Sequence, residues 1–253
     1  MTLPAPEEGW SGFRLTDGLM LLPVFFSTLC ISPNFNTGPL GNVALVLLML
    51  WFPAGVLAGR YLRTFSRGWL MASLVLFGLS ALAAFRSGIP FGITVLAGIG
   101  MFFILLRLRL LGAWVAGVAD GLLLGFFPVL FAYLGFNDYG GWSVFQEKVL
   151  ALSAVWLFGF AAGRWHDPKA AAAGTAVSVI GLWALVAYFF GMEYARQILV
   201  FMLVPIAGLS LAFLPRFRRH GYVQVWRMLT ALILTVAFIR LFLVYTNVIQ
   251  VFS

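Results

Sequence analysis

Nine apolar runs follow one another along the chain, at roughly 18–32, 41–59, 68–85, 89–106, 111–134, 148–163, 171–190, 197–214 and 226–249, with short polar interruptions between them. Most have the length of a helix crossing the roughly 30 Å hydrocarbon core of a bilayer; the first is shorter. A bilayer admits only helices and closed barrels, because backbone polar groups find no water there. Long runs, rather than alternating strands of about ten residues, select helices. The pattern predicts an all-α fold, a polytopic membrane protein of about nine transmembrane helices. No Ser-, Pro- or Gly-rich linker divides the runs, so residues 18–253 read as a single transmembrane domain behind a cytoplasmic N-terminal segment, 1–17.

Composition agrees with the pattern. Hydrophobic residues make up 62% of the chain and charged residues only 9%, against roughly 45–50% and 25% in soluble domains. The net charge of +8 comes from fourteen Arg and two Lys against eight acids. Basic residues crowd alternate connections: Arg14, then Arg60, Arg63 and Arg67, then Arg107 and Arg109, then Arg164 and Lys169, then Arg216, Arg218, Arg219 and Arg227. The opposite connections hold only Arg86, Lys148 and Arg196. This asymmetry predicts a cytoplasmic N-terminus and, with nine spans, an external C-terminus, in a bacterial inner (cytoplasmic) or equivalent membrane. It accounts for the basic charge without nucleic acid. The acidic N-terminal segment, with no convincing cleavage site after the first run, argues against a removable signal peptide. A single cysteine, Cys30, permits no intrachain disulfide.

Two patterns concern helix packing. Gly117, Gly121 and Gly125 recur every four residues, giving one glycine face on which another helix can approach closely. Gly55-Val56-Leu57-Ala58-Gly59-Arg60-Tyr61 is echoed by Gly159-Phe160-Ala161-Ala162-Gly163-Arg164-Trp165, each closing a span four helices apart. Such an echo is expected of two related halves plus one extra helix.

Chemistry-bearing residues are few. Both histidines, His166 and His220, fall in connections, and no clustered Cys and His suggest a metal centre. Asp120 and Arg240 lie inside spans, where charge is costly and signals function by default. An Asp120–Arg240 ion pair would lower the cost for both; the alternative has Arg240 reaching outward and Asp120 protonated. Arg60, Arg63, Arg164, His166, Asp167 and Lys169 cluster after the two echo segments and are the candidates for binding a phosphate or another anionic ligand.

The layout resembles the UbiA superfamily of intramembrane prenyltransferases, with nine helices, a cytoplasmic N-terminus and functional loops after the second and sixth helices. Phe103-Ile104-Leu105-Leu106-Arg107-Leu108-Arg109 is similar to the family's segment between helices four and five, and the stretch from Asp167 to Val177 is similar to the tail of its second motif, with Gly174 and Thr175 displaced. The resemblance implies two four-helix halves plus one, and magnesium held by aspartate-rich motifs against an isoprenyl diphosphate. This chain has no acidic residue between Asp17 and Asp120, and only Asp167 near the second motif. One carboxylate cannot supply the several oxygen ligands that such a metal needs.

The expectation is therefore a UbiA-like pseudoenzyme. It binds an isoprenoid lipid, quinone, carotenoid or chlorophyll-type pigment, or serves as a subunit of a larger membrane complex, among membrane lipids. Two alternatives stand beside it: a divergent prenyltransferase in which Arg60, Arg63 and Arg164 replace the metal, and a small proton-coupled transporter using Asp120, with helices interrupted at Pro53 or Pro128.

Overall fold

The computed structural model describes residues 15–32, 39–87, 89–108, 113–136, 142–163, 168–212 and 220–245. These form nine helical rods: α1 (Leu15–Ile31), α2 (Pro39–Thr64), α3 (Arg67–Ser87), α4 (Ile89–Leu108), α5, α6 (Trp142–Ala162), α7 (Pro168–Phe190), α8 (Met192–Ala212) and α9 (His220–Tyr245). The α5 rod has three parts, an α-helical Ala113–Gly121, a π-helical Leu122–Phe126 and an α-helical Phe127–Phe136. No strand occurs among the described residues. Four stretches, Arg67–Arg86, Val115–Tyr133, Lys169–Phe190 and Tyr222–Tyr245, are long and apolar enough to cross a membrane.

Sequence neighbours pack as antiparallel pairs, α2 on α3, α3 on α4, α5 on α6, α6 on α7 and α7 on α8. The group is closed by α9, which lies against both α8 and α1, while α1 also touches α5 and α6. Two very short turns enforce the pairing. Gly191 alone joins α7 to α8, at a φ of 96° that a side chain would disfavour. Phe65 joins α2 to α3 at a φ of 49°, donating its N–H to Tyr61 O at 2.7 Å. That is the left-handed helix stop usually made by glycine, and a bulky residue there costs about 1–2 kcal/mol.

Hydroxyls inside the rods bond back to their own helix: Thr28 donates to Val24 O, Thr175 to Ala171 O and Thr230 to Trp226 O. Others tie helices together. Ser73 donates to Ala54 O, linking α3 to α2, and Ser178 donates to Val155 O, linking α7 to α6. The two echo-bearing helices thus carry the same kind of tie to their successors.

Neither proline expected to interrupt a helix does so. Pro53 lies within a continuous α2, and α5 absorbs Pro128 by widening its helix just before it. The mechanism is legible bond by bond. The Phe127 N–H reaches back five residues to Leu122 O, and Pro128 has no N–H to give. Leu123 O is thereby deprived of both its i+4 and i+5 main-chain donors. The indole Nε1 of Trp51, on α2, donates to it at 2.9 Å. Trp51 is buried, and its ring meets Phe77, Phe102 and Phe131 edge-on with centroids 5.2–5.3 Å away. One side chain thus satisfies the wound-out turn and fills the junction of α2, α3, α4 and α5.

Trp51→Phe keeps the aromatic packing but strips Leu123 O of this donor. We expect a loss of about 1–3 kcal/mol of stability, read as a lower thermal midpoint in detergent. Combining it with Pro128→Ala, which restores an amide, should reduce that loss; an undiminished loss in the double variant would show that the carbonyl is not the reason.

Candidate functional site

The second echo segment ends α6, and its glycines form a notch filled by a side chain from α9. Arg227 is almost fully buried there, donating through Nη1 to Gly163 O at 3.3 Å and through Nη2 to Gly159 O at 3.5 Å. Gly159 O also accepts the Gly163 N–H at 3.3 Å, and the carbonyls of a helix's last turn carry the negative end of its dipole. A guanidinium complements that negative end. The notch requires glycine at 163, where a Cβ would fall inside the Arg227 guanidinium; a Cβ on Gly159 would instead meet α7, 2.6 Å from Ser178 Oγ.

Its neighbour Trp226 docks the other way. The Trp226 indole donates to Pro205 O at 3.0 Å and rests on Gly208 of α8, where a Cβ would sit 2.7 Å from Nε1. The first turns of α9 are therefore held between α6 and α8 by two adjacent side chains. Charge bias and composition grouped Arg227 with the surface anchors; the structure corrects this. The helix begins at His220, earlier than the apolar run suggested, which carries Arg227 inside the bundle.

Gly117, Gly121 and Gly125 of α5 face the opposite side of α6. Added Cβ atoms would lie 3.2 Å from Ala161 O, 2.6 Å from Leu157 O and 2.7 Å from Leu157 N respectively. This places Asp120, which is fully buried, at the depth of residues 157–161 of α6. Arg227 spans nearly the same depth, 159–163. Arg240 is elsewhere. Its guanidinium sits 5.8 Å over the Phe201 ring on the outer surface of α8 and α9, so the Asp120–Arg240 pair weighed from sequence is not formed. Asp120 also immediately precedes Gly121 and the π turn, a deformation that recurs at functional positions.

The anion-binding candidates do not converge in what is described. Arg60 ends α2 on the surface, stacked 5.0 Å over the Trp69 ring of α3. Arg63 belongs to the last turn of α2, and Lys169 to the first turn of α7, half-buried. Arg164, His166 and Asp167 lie outside the described residues. Among the described residues, no three His, Cys, Asp or Glu side chains come together in a metal-holding group.

Between α1, α6, α7 and α9 runs a narrow apolar crevice, lined by Cys30, Leu152, Leu182, Phe189 and Phe238 among others. Its free space, about 10 Å³, admits little more than one water-sized sphere. Cys30 Sγ donates to Phe238 O at 3.4 Å across it, and Ser27 accepts the Trp156 indole N–H at 3.0 Å.

The shared depth of Asp120 and Arg227 predicts electrostatic coupling through α6. Arg227→Met should cost several kcal/mol, on the order of 3–5, by leaving buried groups uncompensated. Asp120→Asn should also destabilise. The double variant is expected to lose less than the sum, as measured in a thermal double-mutant cycle; strict additivity would show that the two charges ignore each other.

No protein-family profile, characterised protein or solved structure matches this chain, so its function is argued from geometry alone.

Proposed function

We propose that the protein crosses the membrane nine times in a UbiA-like layout, N-terminus cytoplasmic, and works as a binding or assembly component rather than a transferase. The observation that carries this reading is the filled interior. Trp51, Phe77, Phe102 and Phe131 pack edge to face where the helices of the first half meet α5, and Trp156 and Phe160 are buried in the second half. Such packing is rigid, and among the described residues these rings fill the space between their helices that a long tail would need. An isoprenoid, quinone or pigment then lies in shallow crevices or on the outer surface, and the assembly half of the proposal gains weight over deep enclosure.

The lipid-facing surface supports the same reading. Leu74, Val75, Leu79 and Leu82 of α3 and Ile93, Leu96 and Ile104 of α4 all point outward, as side chains do when hydrocarbon or a neighbouring membrane subunit covers them.

The test is composition. Gentle extraction of the full chain, followed by mass spectrometry of lipids, pigments and proteins, should recover a stoichiometric apolar ligand or a second membrane subunit. Magnesium-dependent prenyl transfer by the purified protein would overturn the proposal, as would a monodisperse chain that carries neither.

A second reading has one specific observation in its favour, Asp120 buried beside the π turn of α5. If that carboxyl couples protons to transport, Asp120→Asn should abolish proton-dependent uptake in vesicles; uptake that persists unchanged removes the transporter reading.

A further inference from the structure

The corner between α2 and α3 combines three features that packing does not explain. Phe65 is 72% exposed, the most exposed large apolar side chain among those described. It holds a left-handed backbone conformation in which glycine would be unstrained. Its ring meets Tyr61 in a T-shaped contact, with centroids 6.2 Å apart. Strain retained at an exposed position marks function more often than stability.

At the same end of the bundle stand three arginines, with no ion pair to them among the described residues. Arg60 is held in place over Trp69, Arg67 opens α3 on the surface, and Arg107 is exposed at the end of α4. Phe77 of α3 meets Phe102 of α4, with centroids 4.8 Å apart, so the end of α4 reaches the same end of the bundle as the corner. No acidic residue occurs anywhere on α2, α3 or α4. A basic surface of this kind attracts an anionic plane, and a projecting aromatic beside it suits the boundary between headgroups and acyl chains.

We infer that the α2–α3 corner is a docking site for anionic lipid headgroups, in which Arg60, Arg67 and Arg107 bind phosphate oxygens while Phe65 enters the interfacial layer. This rests on the membrane-spanning reading above. Arginine is suited to the role because its planar fork meets phosphate with two parallel bonds, and Arg60 loses little freedom on binding because its stacking on Trp69 already orients it.

The experiment reconstitutes the full chain into vesicles of phosphatidylcholine alone or mixed equally with phosphatidylglycerol. Flotation in both checks insertion; a chain that stays in the aqueous fraction would overturn the spanning reading and this site with it. From the mixed vesicles, detergent extraction should retain phosphatidylglycerol in preference to phosphatidylcholine. Each arginine replaced in Arg60→Gln, Arg67→Gln and Arg107→Gln should lower that preference about fivefold, and added salt should lower it too. Phe65→Gly separates this role from a structural one: it relieves the backbone, so the thermal midpoint should hold or rise while the lipid preference falls. An unchanged preference in the triple arginine variant or in Phe65→Gly would overturn the site. So would displacement of the lipid by free inorganic phosphate, which would make this an anion site without a membrane role.

Discussion

Four indole N–H groups, each reaching an oxygen on another helix, set how this bundle packs. Trp51 finds Leu123 O, Trp156 finds Ser27 Oγ, Trp183 finds Ala195 O and Trp226 finds Pro205 O, all within 2.9–3.0 Å. In an apolar surrounding an unpaired donor has no water to turn to. Each tryptophan is therefore pinned at one end by its bond and wedged at the other by its ring. These bonds link α2 to α5, α6 to α1, α7 to α8 and α9 to α8, so the two halves of the chain and the last helix are all joined by the same device.

Charge obeys the same constraint with fewer solutions. Arg227 is tolerated inside because the end of α6 offers carbonyl oxygens at the negative end of its dipole, and because Gly163 clears room for a guanidinium. Arg240, with no such notch, lies over an aromatic face at the surface. Two arginines on one helix thus take opposite routes, decided by what the neighbouring helix presents. Asp120 shares the depth of Arg227, across α6, and stands at the entrance to the π turn. The buried charges among the described residues, Asp120 and Arg227, lie in one layer near the end of α6.

The proposed lipid site lies at the edge of this packed body. The interior is occupied by rings, while Arg60, Arg67 and Arg107 are displayed at one end, at helix termini. A molecule built in this way holds its shape by internal bonding.

The helical architecture was legible in the sequence, because run length and the need to satisfy backbone groups leave no other choice. Five of the nine spans, α1, α3, α4, α5 and α7, shift by three residues or fewer at either end, and the glycine face of α5 meets a neighbour as closely as its spacing requires. The start of α9 was not legible, since polar residues such as Gln224 and Arg227 mask a helix that tertiary contacts sustain. Nor could a linear pattern tell that Pro128 would widen a helix rather than break it; that outcome depends on a tryptophan 72 residues away in the chain supplying the missing bond. The echo Gly159-Phe160-Ala161-Ala162-Gly163 was visible as a repeat, but its use as a socket for Arg227 was not. The sequence by itself determined that the chain must form apolar helices with basic ends; only the tertiary structure decided which charges go inside, because that depends on which carbonyls and glycines a distant helix brings alongside.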